Sequence, residues 1–361
     1  MSKGTRDMTD EPEILFEKRG RAGLITLNRP KALNALTLAM VRQMHPQLAE
    51  WARDPEIAHV VVRAAGEKAF CAGGDIRQLH DWGRAGDRHF LDFYREEYRL
   101  NTFIKRYPKP YVALIDGIVM GGGVGVSVHG SHRVAGERTM FAMPETGIGL
   151  FPDVGGTFFL PRLPGSVGTW LALTGARLKQ ADAAWCGIAT HAVPSARFGA
   201  LAEALCKGDD AAAVLDGVAG APAEPSTLPG LMPAIDRCFS ADTVLEVLER
   251  LEAESGADAQ WAAKQAATIR SKSPTSLAIA LRQMREGATL GFEDCMRVEW
   301  RIVNRVVKGH EFFEGVRAVI IDKDNTPRWQ PATLEYLSEP EIDGYFAPLD
   351  EELDLEELAA G

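Results

Sequence analysis

Tyr111-Val112-Ala113-Leu114-Ile115 is an apolar run, and the ten residues after it, Asp116 to Gly125, include five glycines. A buried strand that empties into so much glycine delivers a tight backbone turn with uncovered N–H groups. The triple Gly121-Gly122-Gly123 opens an apolar segment that reads as a helix running to His129. At a helix start the first N–H groups lack partners, and the helix dipole adds positive potential. Such a turn binds phosphate or stabilises an oxyanion. Close packing of a helix on a sheet calls for the same glycines, so both readings stand at this point. The spacing fits neither GxGxxG nor GxxxxGK(S/T), which argues against a nucleotide loop.

The rest of the chain alternates strands and helices, which predicts an α/β class. Glu13–Lys18 and Leu24–Leu27 read as strands around a turn, and Ala58–Arg63 as a buried strand. Thr37 is a candidate N-cap for a helix carrying Leu38, Val41, Leu48 and Trp51, with a kink or break expected at Pro46. Within 211–230, twelve of twenty residues are Ala, Gly or Pro, which predicts a linker or loose insertion. Beyond it the pattern turns helical. Residues 243–252 carry Val244, Leu245, Val247, Leu248 and Leu251, and Leu277, Leu281 and Met284 share one face after a Ser273 cap and Pro274. The expected divisions are a core over 1–206, the Ala/Gly/Pro-rich stretch over 207–230, a helical region over 231–338 and an acidic tail over 339–361. That tail holds nine acids and no Lys or Arg, so of the net charge of −10 the body carries −10 + 9 = −1. A solvated, mobile tail is expected. A near-neutral body gives no support to broad nucleic-acid binding. Five scattered cysteines without a CxxC pair fit reduced thiols. No apolar run is long enough for a membrane span, and the first residues read as neither signal nor transit peptide, so a cytoplasmic location is expected.

Two further segments can carry chemistry. Phe70-Cys71-Ala72-Gly73-Gly74-Asp75 offers either a ligand-facing turn or an ordinary strand-to-helix turn. Met143-Pro144-Glu145 and Phe151-Pro152-Asp153 each place an acid in apolar company. Burial would raise either pKa and suit a general base or acid; capping, or pairing with Arg133, Arg138 or Arg162, is the alternative. Gly125-Val126-Ser127-Val128-His129 falls short of a GxSxG elbow, and Ser127 reads as a helix residue. No histidine spacing fits a metal site, and His129 reads as a core residue.

Taken together and in order, these segments resemble the crotonase (enoyl-CoA hydratase/isomerase) superfamily. The match includes Ile25-Thr26-Leu27-Asn28-Arg29-Pro30 with Ala32-Leu33-Asn34-Ala35-Leu36, then the GGD, GGG and MPE segments. The resemblance implies a ββα spiral core with a C-terminal helical region, and an acyl-CoA substrate. By position, the Gly74 and Gly122 N–H groups would form an oxyanion hole. Asn28, Lys31, Ala32, Leu33, Ala72, Gly73 and Asp75 would lie along the CoA moiety. Hydratases of this family use two glutamates; the first would fall at Gly125, and the second is Glu145. The run from Met143 to Gly156, with His129-Gly130, Ser273-Pro274-Thr275-Ser276 and Glu314-Gly315-Val316-Arg317-Ala318, is instead similar to the branch that hydrolyses CoA thioesters of branched 3-hydroxy acids, 3-hydroxyisobutyryl-CoA above all, in valine breakdown. In that branch Glu145 and Asp153 would serve catalysis, and Glu97 would contact substrate.

The expectation is thus a thioester hydrolase with Gly74, Gly122, Glu145 and Asp153 in the catalytic site. No cofactor is implied beyond the CoA of the substrate, and no metal. Expected partners are the acyl-CoA substrate and, in the manner of the family, other copies of the chain, although the long C-terminus could cover that surface. The alternatives are a hydratase or isomerase with a relocated acid, a non-catalytic acyl-CoA-binding protein, and a serine esterase through Ser127.

Overall fold

The computed structural model describes residues 11–208 and 210–355. Among the described residues, ten strands form two sheets: β1 (Ile14–Arg19), β2 (Ala22–Leu27), β3 (His59–Ala64), β4 (Ala69–Cys71), β5 (Tyr111–Ile115), β6 (Ile118–Met120), β7 (His132–Ala135), β8 (Met140–Ala142), β9 (Leu178–Lys179) and β10 (His191–Ala192). One sheet has the order β1-β2-β3-β5-β7-β10 and the other β4-β6-β8-β9. Each repeat sends one strand into each sheet: β3 then β4, β5 then β6, β7 then β8. A helix follows each pair, so the chain winds forward as a ββα spiral with a helical C-terminal region. Pairings are parallel except β1 with β2 and β8 with β9.

The period-2 alternation of the strands decides which core each residue enters. Val60 and Val62 face the main core, with Ile25, Leu27, Ala113 and Ile115. Val61 points the other way and joins Leu24, Val112, Leu114 and Val134 in a second, smaller core. That second face is covered by the helices Phe198–Lys207 and Ala211–Asp216, through Leu201, Leu205, Ala211 and Leu215. The stretch expected as a linker therefore contains a helix that helps close the sheet. Its Ala/Gly/Pro content hid Ala211 and Leu215, one turn apart on the buried side.

Two caps, Thr37 and Ser273, stand where the sequence placed them, and Thr243 adds a third. Thr37 Oγ1 accepts from Met40 N–H (3.2 Å), Thr243 Oγ1 from Glu246 N–H (3.1 Å) and Ser273 Oγ from Ser276 N–H (3.2 Å). Of the kink or break expected at Pro46, the break does not occur: one helix runs from Leu38 to Arg53 with the proline inside it. Met40, Val41, Met44, Leu48 and Trp51 are buried on both sides of the proline, and their packing outweighs the hydrogen bond it lacks.

The acidic tail, as far as it is described, is docked rather than mobile. The helix Glu339–Phe346 buries Ile342 and Phe346, and Leu353 and Leu355 are also buried. Arg301 pairs with Glu352 at 2.7 Å, and Trp300 Nε1–H donates to Glu351 O at 3.2 Å. Charge count alone missed these four apolar anchors. Glu356 and Glu357, like the first ten residues, lie outside the described residues.

The C-terminal helices reach the catalytic half through backbone contacts. A side chain at Gly315 would strike the Ile148 backbone, and one at Gly287 the Thr157 carbonyl. These contacts hold the 143–157 segment between the sheets and the helices Pro274–Gly287 and Phe292–Val306.

Candidate active site

A cavity of about 410 Å³ lies where the repeats converge. Gly73, Gly74, Gly122, Glu97, Glu145 and Asp153 all line it, although they come from four separate segments of the chain.

Two backbone turns form one wall. Gly73 has φ +116° and Gly121 φ +45°, values that L side chains rarely adopt. Among the described residues, neither Gly74 N–H nor Gly122 N–H donates to a backbone carbonyl. A Cβ on Gly122 would lie 3.4 Å from Gly74 N and would overlap Glu97 Oε1. The two glycines therefore sit side by side against the cavity, next to a carboxyl. The helix that Gly122 opens is short, Gly122–Gly125; Ser127 lies in the turn beyond it, not in a longer helix. The Ser127 hydroxyl donates to Gly123 O at 2.7 Å and is buried, which removes it as a nucleophile. His129 is buried, its Nε2 2.7 Å from Val154 O, and its pKa is pushed down to about 3, mainly by desolvation. It is a neutral core residue.

Three carboxyls face this wall. Glu145 opens a 3-10 turn, Glu145–Ile148, just after β8. Its Oε1 would lie 3.2 Å from a Cβ on Gly121, and its Oε2 finds no partner among the described residues. Burial raises its pKa well above the carboxylate range, Asp153 adds to this, and Lys272 pulls the other way. Glu97, on the helix His89–Lys105, is raised by burial and by Asp153, Glu299 and Glu145; its Oε1 is also unpartnered. Asp153 accepts from Tyr98 O–H at 2.9 Å, and burial lifts its pKa to about 7.

Sequence reasoning did not find the residues that hold these acids. Glu299 is fully buried and accepts from Gly155 N–H (2.8 Å) and Thr157 N–H (2.9 Å), fixing the loop that carries Asp153. Gln283 Nε2–H donates to Thr157 Oγ1 at 2.7 Å and so ties the same loop. Tyr94, Tyr98 and Lys272 were also missed. A signal existed for most of them. Tyr94, Glu97, Tyr98 and Asn101 recur at spacings of three and four on an otherwise apolar helix face. Glu299 stands at a core position among Cys295, Met296, Ile302 and Val303.

The segments expected to follow CoA lie beside the cavity and are stitched together. Leu36 N–H donates to Gly73 O (2.8 Å), and Ala72 N–H to Leu33 O (3.0 Å). Asn34 fixes the bend, donating to Ala65 O and Ala69 O, both at 2.9 Å. Ala72 and Gly73 line the cavity, whereas Asn28, Lys31, Ala32, Leu33 and Asp75 do not. Asn28 donates to Pro12 O at 2.9 Å, Lys31 and Ala32 lie in the 3-10 turn Pro30–Ala32, and Leu33 caps it. Asp75 pairs with Arg29 at 2.9 Å and caps the helix Ile76–Ala85.

Position 125 is closed to a larger side chain. A Cβ there would lie 2.7 Å from Asn101 Nδ2 and 2.9 Å from Val154 Cβ.

Residues 22–346 match the family model described as enoyl-CoA hydratase/isomerase. Among curated relatives, the 3-hydroxyisobutyryl-CoA hydrolase of Danio rerio, named mitochondrial, is 52% identical over 348 residues, 94% of this chain and 90% of that protein. A crystal structure titled as a carnitinyl-CoA dehydratase from Mycobacterium thermoresistibile is 41% identical, covers 96% of this chain and 99% of its own, and superposes with a TM-score of 0.91. One titled as an enoyl-CoA hydratase from Rhodobacter sphaeroides 2.4.1 is 44% identical over 94% of this chain and 98% of its own, with a TM-score of 0.86. The mitochondrial relatives overturn the expected cytoplasmic location, which rested on composition near the start of the chain. By its sequence, its spiral and its paired glycine turns, the chain belongs to the enoyl-CoA hydratase/isomerase family.

Proposed function

We propose that this protein hydrolyses a CoA thioester, 3-hydroxyisobutyryl-CoA, to 3-hydroxyisobutyrate and CoA. The observation that carries this reading is the single cavity holding paired glycine N–H groups opposite the unpartnered carboxyl of Glu145. Its support from relatives is the name of the curated hydrolases, about half identical over most of the chain.

Thioester hydrolysis needs one polarised carbonyl and one activated nucleophile. The Gly74 and Gly122 N–H groups receive the thioester oxygen and stabilise the charge that grows on it. Glu145 removes a proton from water as the water attacks the carbonyl carbon, or attacks that carbon itself. In the second route CoA leaves as its thiolate, and water then opens the mixed anhydride. A carboxylate whose pKa is raised is the stronger base for the first route. Asp153, with a pKa of about 7, can give a proton to the departing thiolate at neutral pH. Glu97, packed at Gly122, contacts the acyl group.

The titles of the two solved structures raise a hydratase as the alternative. Syn-hydration with the family's two glutamates would need an acid at position 125, where Asn101 and Val154 leave no room.

Thiol release from 3-hydroxyisobutyryl-CoA, beside crotonyl-CoA hydration and a Glu145→Gln control, decides between them. Release that disappears in the control supports the hydrolase. Hydration of crotonyl-CoA without release overturns it.

A further inference from the structure

A buried hydroxyl in a ligand needs both a donor and an acceptor, or it loses more than it gains on leaving water. The polar side chains lining the cavity are Tyr94, Glu97, Glu145, Asp153, Lys272 and Asn325. The carboxyls accept when ionised and donate only while they hold a proton. Asn325 is exposed, on the C-terminal segment, and the charge of Lys272 acts on Glu145. Tyr98 already donates to Asp153. That leaves Tyr94. It is 2% exposed, and its hydroxyl has no hydrogen-bond partner among the described residues.

Tyr94 stands one helical turn before Glu97, whose unpartnered Oε1 is pressed against Gly122. The ring is fixed by its neighbours: Phe90, Phe93 and Tyr98 have their ring centroids 6.1, 5.5 and 6.1 Å away. A donor and an acceptor, both buried and both unpartnered, thus stand on one helix face beside the expected carbonyl position.

We propose that Tyr94 is a specificity-determining residue, selecting acyl groups that carry a hydroxyl close to the thioester carbonyl. Tyr94 O–H donates to the substrate hydroxyl oxygen, and that hydroxyl donates in turn to Glu97. An acyl group without the hydroxyl leaves both protein groups unpaired, which is how a polar site rejects an apolar analogue. The inference rests on the thioester-hydrolase reading and names what its acyl pocket recognises.

The test compares kcat/KM for 3-hydroxyisobutyryl-CoA and isobutyryl-CoA in the wild type and in Tyr94→Phe. The wild type is expected to prefer the hydroxylated substrate by at least about tenfold, and the variant to lose about tenfold or more of that ratio. The folded fraction cancels in the ratio, so a partly misfolded variant still reports. A wild type that hydrolyses both substrates equally well overturns the inference without any variant. So does a ratio unmoved by Tyr94→Phe. A wild type that hydrolyses neither overturns the hydrolase reading itself, and this inference with it.

Discussion

Glu145 and Glu299 are both buried, and both have pKa values raised first by desolvation and then by Asp153. They differ in what their oxygens touch. Glu299 accepts from two backbone N–H groups and holds a loop; Glu145 keeps an unpartnered oxygen at a cavity wall. A displaced pKa marks both, so it separates neither as the catalytic group. The unmet hydrogen bond beside the cavity makes the distinction, because of the two glutamates only Glu145 keeps an oxygen free to meet a substrate or a water.

The comparison breaks most directly at Glu145. Glu145→Gln should lower the rate of thiol release by about 10³ while leaving the urea midpoint no lower than in the wild type. A large loss of stability with retained turnover would reverse the roles assigned to the two glutamates. Next in size is Gly122→Ala, whose methyl overlaps Glu97 and crowds Gly74 N. A fall in kcat of about 10² is expected, the cost of one displaced oxyanion donor. Unchanged kcat would remove Gly122 from the hole.

Glu299→Gln tests the other side. One amide oxygen cannot satisfy both Gly155 and Thr157, and the amide NH₂ would face a second donor. A cost of about 1–3 kcal/mol is expected from urea unfolding, with a loss of activity smaller than that of Glu145→Gln. The pH dependence of stability sharpens the same point. Asp153 titrates at about 7 and Glu299 at about 8 in the folded protein, against about 4 in an unfolded chain. A carboxyl raised in this way holds its proton more tightly when folded. Its contribution is full below about pH 4 and is lost as the pH climbs through 7 and 8. Unfolding free energy should therefore fall over that range, and Asp153→Asn should flatten the fall. The smallest effect concerns the five cysteines, all buried and free. Burial pushes Cys71 and Cys295 up to about 12 and Cys186 and Cys238 up to about 11. A thiol reagent should stay silent with the native enzyme and react in denaturant, so the hydrolase assay reads CoA alone.

Much of the fold was legible because its signals are local. The valine runs, the glycine turns and the Thr37 and Ser273 caps each act within a few residues. Three outcomes were decided by a distant contact rather than by the local signal. Pro46 was carried through a helix by packing on both sides. Ala211 and Leu215 found a sheet face that composition does not show. Ile342, Phe346, Leu353 and Leu355 docked a segment whose charge count suggested solvent.

The sequence by itself determined the α/β class, the glycine turns at 73–74 and 121–123 and the family, and the family resemblance singled out Glu145, Asp153 and Glu97 as candidates. All of these are carried by residue type and short spacing. Only the tertiary structure decided that Tyr94 and Lys272 join those acids around one cavity, that Glu299 locks their loop, and that Asn101 fills the space beside Gly125. Those outcomes depend on which side chains meet across separate elements. Hydrogen-bond satisfaction and available volume settle them, and both are properties of the packed molecule rather than of any stretch of the chain.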